Sequence, residues 1–168
     1  MRKSALALAL LALSCSVVAS AQLHKAGLYE TTTKMEITVS PFPQMPVGTN
    51  NPIASPHTSQ VCIPQAYIDK YNGIMQPPSN GQQSCQTTSI NKTANGFTGT
   101  MACTGRTPGS ATMDFTWPEP NHSTGTVHFT GQMQLGQQAK PFEYIMHVSS
   151  TFKSSDCGTV KPIDVPAK

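Results

Sequence analysis

The sequence predicts a mainly β protein: an antiparallel meander sheet curled into a barrel-like or sandwich form, with one short helix near residues 64–71. Three observations carry that expectation. Apolar and polar residues alternate with period two along most of the chain after residue 27, the pattern of strands with one buried and one wet face. Clusters of Gly, Pro and Asn punctuate those runs at short intervals. With 168 residues, 38% hydrophobic and only 11% charged, the chain suits one domain with a thin core.

The elements follow in order. Gly27 to Ser40 is rich in Thr, Val, Ile and Tyr, and Tyr29, Met35, Ile37 and Val39 share one face of a strand. Residues 41–57 hold Pro41, Pro43, Pro46, Pro52 and Pro56 among Gly, Asn and Ser. Proline lacks an N–H for a ladder, so this segment reads as a long surface loop. A short strand over Ser59 to Ile63 follows. Pro64 opens the one helix, which runs to Tyr71 and is closed by Asn72-Gly73. Cys85 to Lys92 and Phe97 to Thr104 flank Thr93-Ala94-Asn95-Gly96, a hairpin signal. Ala111, Met113, Phe115 and Trp117 alternate with Thr112, Asp114 and Thr116. Val127, Phe129, Gly131, Met133 and Leu135 alternate with Thr126, His128, Thr130, Gln132 and Gln134. Phe142, Tyr144, Met146 and Val148 close the pattern, which reaches Phe152.

The amino terminus reads differently. Arg2 and Lys3 precede an unbroken apolar run from Ala5 to Leu13, and small residues then lead to Ala19-Ser20-Ala21. This is the layout of a cleavable signal peptide over residues 1–21, which places the protein in the periplasm or outside the cell. The run is too short to cross a bilayer, so the cleaved chain is not transmembrane. The alternative within this segment is a lipoprotein anchored at Cys15. Residues 22–158 then form a single β-rich domain and 159–168 a flexible tail. Cleavage removes two of 11 basic residues, against 8 acidic ones. A nearly neutral chain without basic clusters is no nucleic-acid binder.

Cys62, Cys85, Cys103 and Cys157 lie beyond the signal segment. An even number of cysteines in an exported chain reads as two disulfides, and three pairings are possible. Cys85 and Cys103 flank one hairpin, which favours joining them and leaves Cys62 for Cys157. Zinc is the alternative use of these thiols, but no Cys-x-x-Cys or His-x-x-x-His spacing supports it.

Ala26-Gly27-Leu28-Tyr29-Glu30 follows the signal segment. Val61-Cys62-Ile63-Pro64-Gln65 enters the helix. Met101-Ala102-Cys103 and Ser155-Asp156-Cys157-Gly158 complete the set. Together, over residues 25–158, these features resemble an exported bacterial family, domain-of-unknown-function family 3617. The resemblance implies an extracytoplasmic β-rich protein and carries over no catalytic residue.

Direct chemical signals are sparse. Ser150-Thr151-Phe152-Lys153 has the Ser-x-x-Lys spacing of penicillin-interacting enzymes, but on a strand an offset of three puts the two side chains on opposite faces. No nucleophile elbow, phosphate loop or zinc-protease motif is present, and no cofactor is implied. A cryptic hydrolase would have to be assembled from distant residues, with one His beside an acid and a Ser. Five His and eight Met raise copper handling, since imidazole and thioether suit that metal. Met101, Met113, Met133 and Met146 nevertheless fall on apolar faces, where they fill a core. His24 would become the third residue after cleavage, placed for a square-planar amino-terminal site. Many Thr residues, among them Thr32, Thr98, Thr112, Thr116 and Thr126, lie on polar strand faces, suited either to water or to contact with a glycan or another surface.

The leading expectation is therefore a non-catalytic binding or structural module outside the cytoplasm, its partner an apolar small molecule or a component of the cell envelope. Tyr29, Phe97, Met101, Met113, Phe115, Trp117, Phe129 and Met133 are the candidate lining for an apolar ligand on a curved sheet. A face plugged by its own side chains would remove that site.

Overall fold

The structure is a computed structural model that describes residues 25–44, 47–48, 54–71, 83–119 and 121–165. In chain order it contains β1 (Gly27–Val39), β2 (His57–Ile63), α1 (Gln65–Tyr71), β3 (Gln83–Thr93), β4 (Gly96–Gly105), β5 (Gly109–Glu119), β6 (His122–Leu135) and β7 (Gln138–Ser154). All seven strands belong to one antiparallel sheet, ordered β2-β1-β7-β6-β5-β4-β3. Strands β3 to β7 are a meander joined by tight turns. β1 pairs with β7 rather than β3, so β2 and β3, which follow one another in sequence, form opposite edges. An open sheet with two edges is not a closed barrel; of the two expected forms, the curled sandwich-like one describes it.

One irregular point in the sheet coincides with a proline. The β5–β6 register shifts between Thr116 and Glu119, and Pro118 sits in that interval, where a missing N–H breaks no ladder bond. Within the expected 41–57 loop, Gly48 donates its N–H to the Ile37 carbonyl at 2.8 Å, and Ala54 is buried.

One face of the sheet is apolar and packs large groups against small ones. Phe97, Met101, Cys103, Ala111, Met113, Val127 and Phe129 are buried together, with Cys85, Ile90, Phe115, Trp117, Phe142, Tyr144 and Met146 against them. The register explains the fit. Phe129 lies opposite Ala111 on one side and Tyr144 on the other, and Phe115 lies opposite Gly125. A methyl group on Gly125 would overlap the Phe115 ring. Phe97 stacks on Phe115 and Phe129 on Tyr144, each with ring centroids 5.1 Å apart. Every described residue of this cluster comes from the sheet itself.

A second cluster covers the β1–β2 end: Tyr29, Ile63 and Tyr67 are buried, with Phe152, Ile163 and Val165 against them. Here α1 supplies the cover through Tyr67. Between the clusters Thr31 and Ser150 are buried and joined by a 2.8 Å hydroxyl hydrogen bond, so neither desolvated hydroxyl lacks a partner. Residues 159–165 belong to the segment the sequence assigns to a tail. Here Ile163 donates its N–H to the Cys62 carbonyl at 3.0 Å. Val160, Ile163 and Val165 are the apolar residues of that segment, and docking Ile163 and Val165 on the Tyr29 cluster hides surface that water would otherwise meet.

Two disulfides hold the periphery. Cys62 at the end of β2 is bonded to Cys157 just beyond β7. Cys85 is bonded to Cys103, its directly opposed partner on β4.

Candidate functional site

The face opposite the core is built by the same registers. Following directly opposed residues across the sheet gives one row: Asn91 on β3, Thr98 on β4, Asp114 on β5, Thr126 on β6, His147 on β7 and Lys34 on β1. Adjacent strands are about 4.7–4.9 Å apart, so six neighbouring strands carry one polar group each at regular intervals.

The rows beside it satisfy themselves in part. On one side, Thr116 and Thr124 hydroxyls lie 3.2 Å apart, and Thr32 and Thr58 hydroxyls 2.8 Å. On the other, Thr88 and Ser89 each reach the Thr100 hydroxyl at 2.7 Å. Among the described residues, no side chain of the central row makes a hydrogen bond or ion pair with a protein group. Two hollows occupy this face. The larger, of about 710 Å³, is bordered by Thr32, Lys34, Asp114, Thr124, Thr126 and His147. The smaller, of about 410 Å³, is bordered by Asn91, Thr98, Thr100, Asp114, Thr126 and His128. Asp114 and Thr126 border both, so the two hollows adjoin at the middle of the row, one on each side of it.

A family model described as "Protein of unknown function (DUF3617)" matches residues 24–157. The chain belongs to this family. No curated protein and no solved structure matches it. The opening motif of this DUF3617 chain has a physical basis. Gly27 has φ +143°, and a side chain there would run into the Ser154 carbonyl oxygen and the Phe152 ring, so only glycine fits. Tyr29, two residues on, donates its hydroxyl to the Lys25 carbonyl at 2.7 Å and meets Phe152 edge-on at 5.4 Å. Burial pushes the Tyr29 hydroxyl above its ordinary pKa, and the bond to Lys25 offsets part of that rise. Burial also raises Tyr144.

The candidate apolar-ligand residues do not come together as one lining. Phe97, Met101, Met113 and Phe129 are 4%, 8%, 6% and 1% exposed and are consumed by the core. Phe115 and Trp117 pack against them. Met133 is half-buried further along β6, and Tyr29 belongs to the other cluster. One-sided alternation tells which side chains point the same way, but not that the sheet will curl over them. Cys62, Cys85, Cys103 and Cys157 are all in disulfides. His24 and Cys15 lie outside the described residues.

Catalytic arrangements do not assemble on the described surface. His147, Ser149 and Asp114 all border the larger hollow, but Thr126 lies between Asp114 and His147 in the register. Two strand spacings are about 10 Å, whereas a working nucleophile, base and orienting acid need hydrogen-bond reach of about 3 Å. Ser150 is buried against Thr31, while Lys153 pairs with Glu30 at 2.8 Å, so the Ser-x-x-Lys pair is divided between faces. Among the described residues no group of three or more His, Cys, Asp or Glu is placed to hold a metal.

Sequence reasoning named the polar-face threonines but missed Asn91, Asp114, His147 and Lys34 as a set. Alternation and the tight turns carry the signal for Thr98, Asp114, Thr126 and His147, because each hairpin turn sets its register. Lys34 joins through the β1–β7 pairing, which no local pattern announces.

Proposed function

We propose that this DUF3617 protein is an exported, disulfide-linked binding module that acts in the periplasm or outside the cell without catalysis. Its binding surface is the polar face of the sheet rather than the apolar one. The observation that carries this reading is the central row, unpartnered among the described residues and bordering two adjoining hollows, beside rows that hydrogen-bond among themselves. Disulfides persist where the surroundings are oxidising, which agrees with the signal-peptide layout of residues 1–21.

The test uses the full chain expressed in its own host. Intact mass is expected to show cleavage after Ala21 and the loss of four hydrogens for two disulfides. Photo-crosslinking residues at Thr98 and Thr124 are expected to form adducts that a control at Gln137, in the β6–β7 turn, does not. A reduced cytosolic protein would overturn the export reading. Equal labelling at all three positions, or none at any, would overturn the polar-face reading.

A further inference from the structure

We propose that the central row, with the two hollows that adjoin it, is a site for a linear, uncharged polyhydroxylated chain, an oligosaccharide lying across the strands. This rests on the polar-face reading above and names the class of its ligand.

Shape is the first argument. Six opposed residues on six adjacent strands span five strand spacings, about 24 Å, and two adjoining hollows of about 710 and 410 Å³ flank that row. Ligand sites usually fall in the range of roughly 300–1,000 Å³. The length of the row matches an extended oligomer better than a compact metabolite. Both hollows are open to solvent, as a site for an internal stretch of a polymer must be.

Chemistry selects among the extended ligands. The row offers an amide (Asn91), two hydroxyls (Thr98, Thr126), one carboxylate (Asp114), one imidazole (His147) and one ammonium (Lys34). The row mixes donors and acceptors, and its one carboxylate and one ammonium leave no net formal charge. A polyanion would meet Asp114 in the middle of its path and only one lysine, where a nucleic acid needs several cations. An apolar chain would strip water from six polar groups and return no hydrogen bond, at about 1–3 kcal/mol for each group left unsatisfied. A sugar chain brings hydroxyls that both donate and accept at every ring, the complement of such a row.

The flanking rows supply the third argument. Thr116 with Thr124, Thr32 with Thr58, and Ser89 with Thr100 use their hydroxyls on one another. Among the described residues, the row between them keeps its hydrogen-bonding capacity free of protein partners. A ligand there replaces water with direct bonds and disturbs nothing already made.

The experiment is methyl and amide NMR on the disulfide-intact chain. Two uncharged pentasaccharides are titrated, one of N-acetylglucosamine and one of glucose, with each monosaccharide as control. The expected result is saturable shifts confined to the neighbourhood of Asn91, Thr98, Asp114, Thr126 and His147 with at least one pentamer. The preferred pentamer tells whether the natural chain bears acetamido groups or hydroxyls alone. Asp114→Asn and Thr126→Val, both on the wet face, should keep a folded spectrum and weaken that binding by about tenfold, the loss of one hydrogen bond to ligand. Three results would each overturn the proposal: no shift with either pentamer at about 1 mM, shifts on another surface, or affinity unchanged in both variants. Adducts at Thr98 and Thr124 without any pentamer binding would retain the polar-face reading and remove the glycan. Absence of both would remove the two together.

Discussion

Removing the two disulfides one at a time should cost different amounts, and the difference is set by chain connectivity. Cys62 and Cys157 are 95 residues apart, Cys85 and Cys103 only 18. If a cross-link acts by limiting the unfolded chain, its contribution grows with the logarithm of the loop it closes. The relation gives about 4.7 kcal/mol for the long loop and about 3.2 kcal/mol for the short one at room temperature. The paired substitution Cys62→Ser with Cys157→Ser should therefore cost about 1.5 kcal/mol more than Cys85→Ser with Cys103→Ser. The short loop is nested in the long one, so each bridge closes a shorter effective loop while the other is intact, and removing both should cost slightly more than the two separate losses together. Total stability is expected to be of order 10 kcal/mol, which leaves the fully reduced chain close to unfolding. Urea denaturation followed by Trp117 fluorescence measures all three variants, with the denaturant slope rising as cross-links are lost and the unfolded chain expands. Equal costs, or a greater loss from the hairpin bridge, would refute the argument. Either would mean that native contacts at the β3 edge, rather than closure of the unfolded chain, set the contribution.

Three further outcomes are expected. Gly27→Ala places a methyl group at φ +143° against the Ser154 carbonyl and should cost about 3 kcal/mol or more. Gly136→Ala, with φ +63° and open space around it, should cost only about 1 kcal/mol; equal thermal shifts would deny the close approach. Phe129→Ala empties the most buried large side chain and should cost about 3–5 kcal/mol, whereas the half-buried Met133→Ala should cost roughly 1 kcal/mol; chemical denaturation ranks them. Tyr29 has its hydroxyl pKa raised by burial, so the unfolded chain loses that proton first, near pH 10. The native state holds more protons between that pH and the folded pKa, and stability there falls as pH rises; below about pH 10 the contribution is fully present. Tyr29→Phe should flatten this alkaline fall above about pH 10, read from urea midpoints; an unchanged slope would contradict the assignment.

Legibility in the sequence followed locality. The Cys85–Lys92 and Phe97–Thr104 strands needed only extension, to Gln83–Thr93 and Gly96–Gly105, because alternation and a tight turn act within about twenty residues. β6 was expected from Thr126, yet it begins at His122. Ser123, Thr124 and Gly125 carry no apolar signal, and their strand state comes from pairing with Ser150, Ser149 and Val148 on β7. The same distance in sequence hid the β1–β7 pairing and, with it, the sheet order. The apolar lining was legible as a face, whereas its fate was not. Whether such a face holds a ligand or its own side chains depends on how far the sheet curls, and that depends on the fit of Phe115 to Gly125 and of Phe129 to Ala111 across strands.

That fit also explains why the candidate site needs no support of its own. The two faces of a strand share one register, so a slip by a single residue would turn every side chain over. Setting Phe129 opposite Ala111 and Tyr144 places Thr126, two strand positions short of His128, on the wet face beside Asp114 and His147. That alignment accepts only a glycine at position 125, because the Phe115 ring fills the space a side chain would take. Cys85–Cys103 pins one end of the β3–β4 pair, and the one-residue shift between Thr87 and Ser89 then puts Asn91 opposite Thr98. On the other side, the buried Thr31–Ser150 bond sits on the β1–β7 pairing that places Lys34 beside His147. The proposed row is thus positioned by the core beneath it. Substitutions on the wet face should be free to alter binding at little cost to the fold, while a substitution such as Gly125→Leu should disturb both at once.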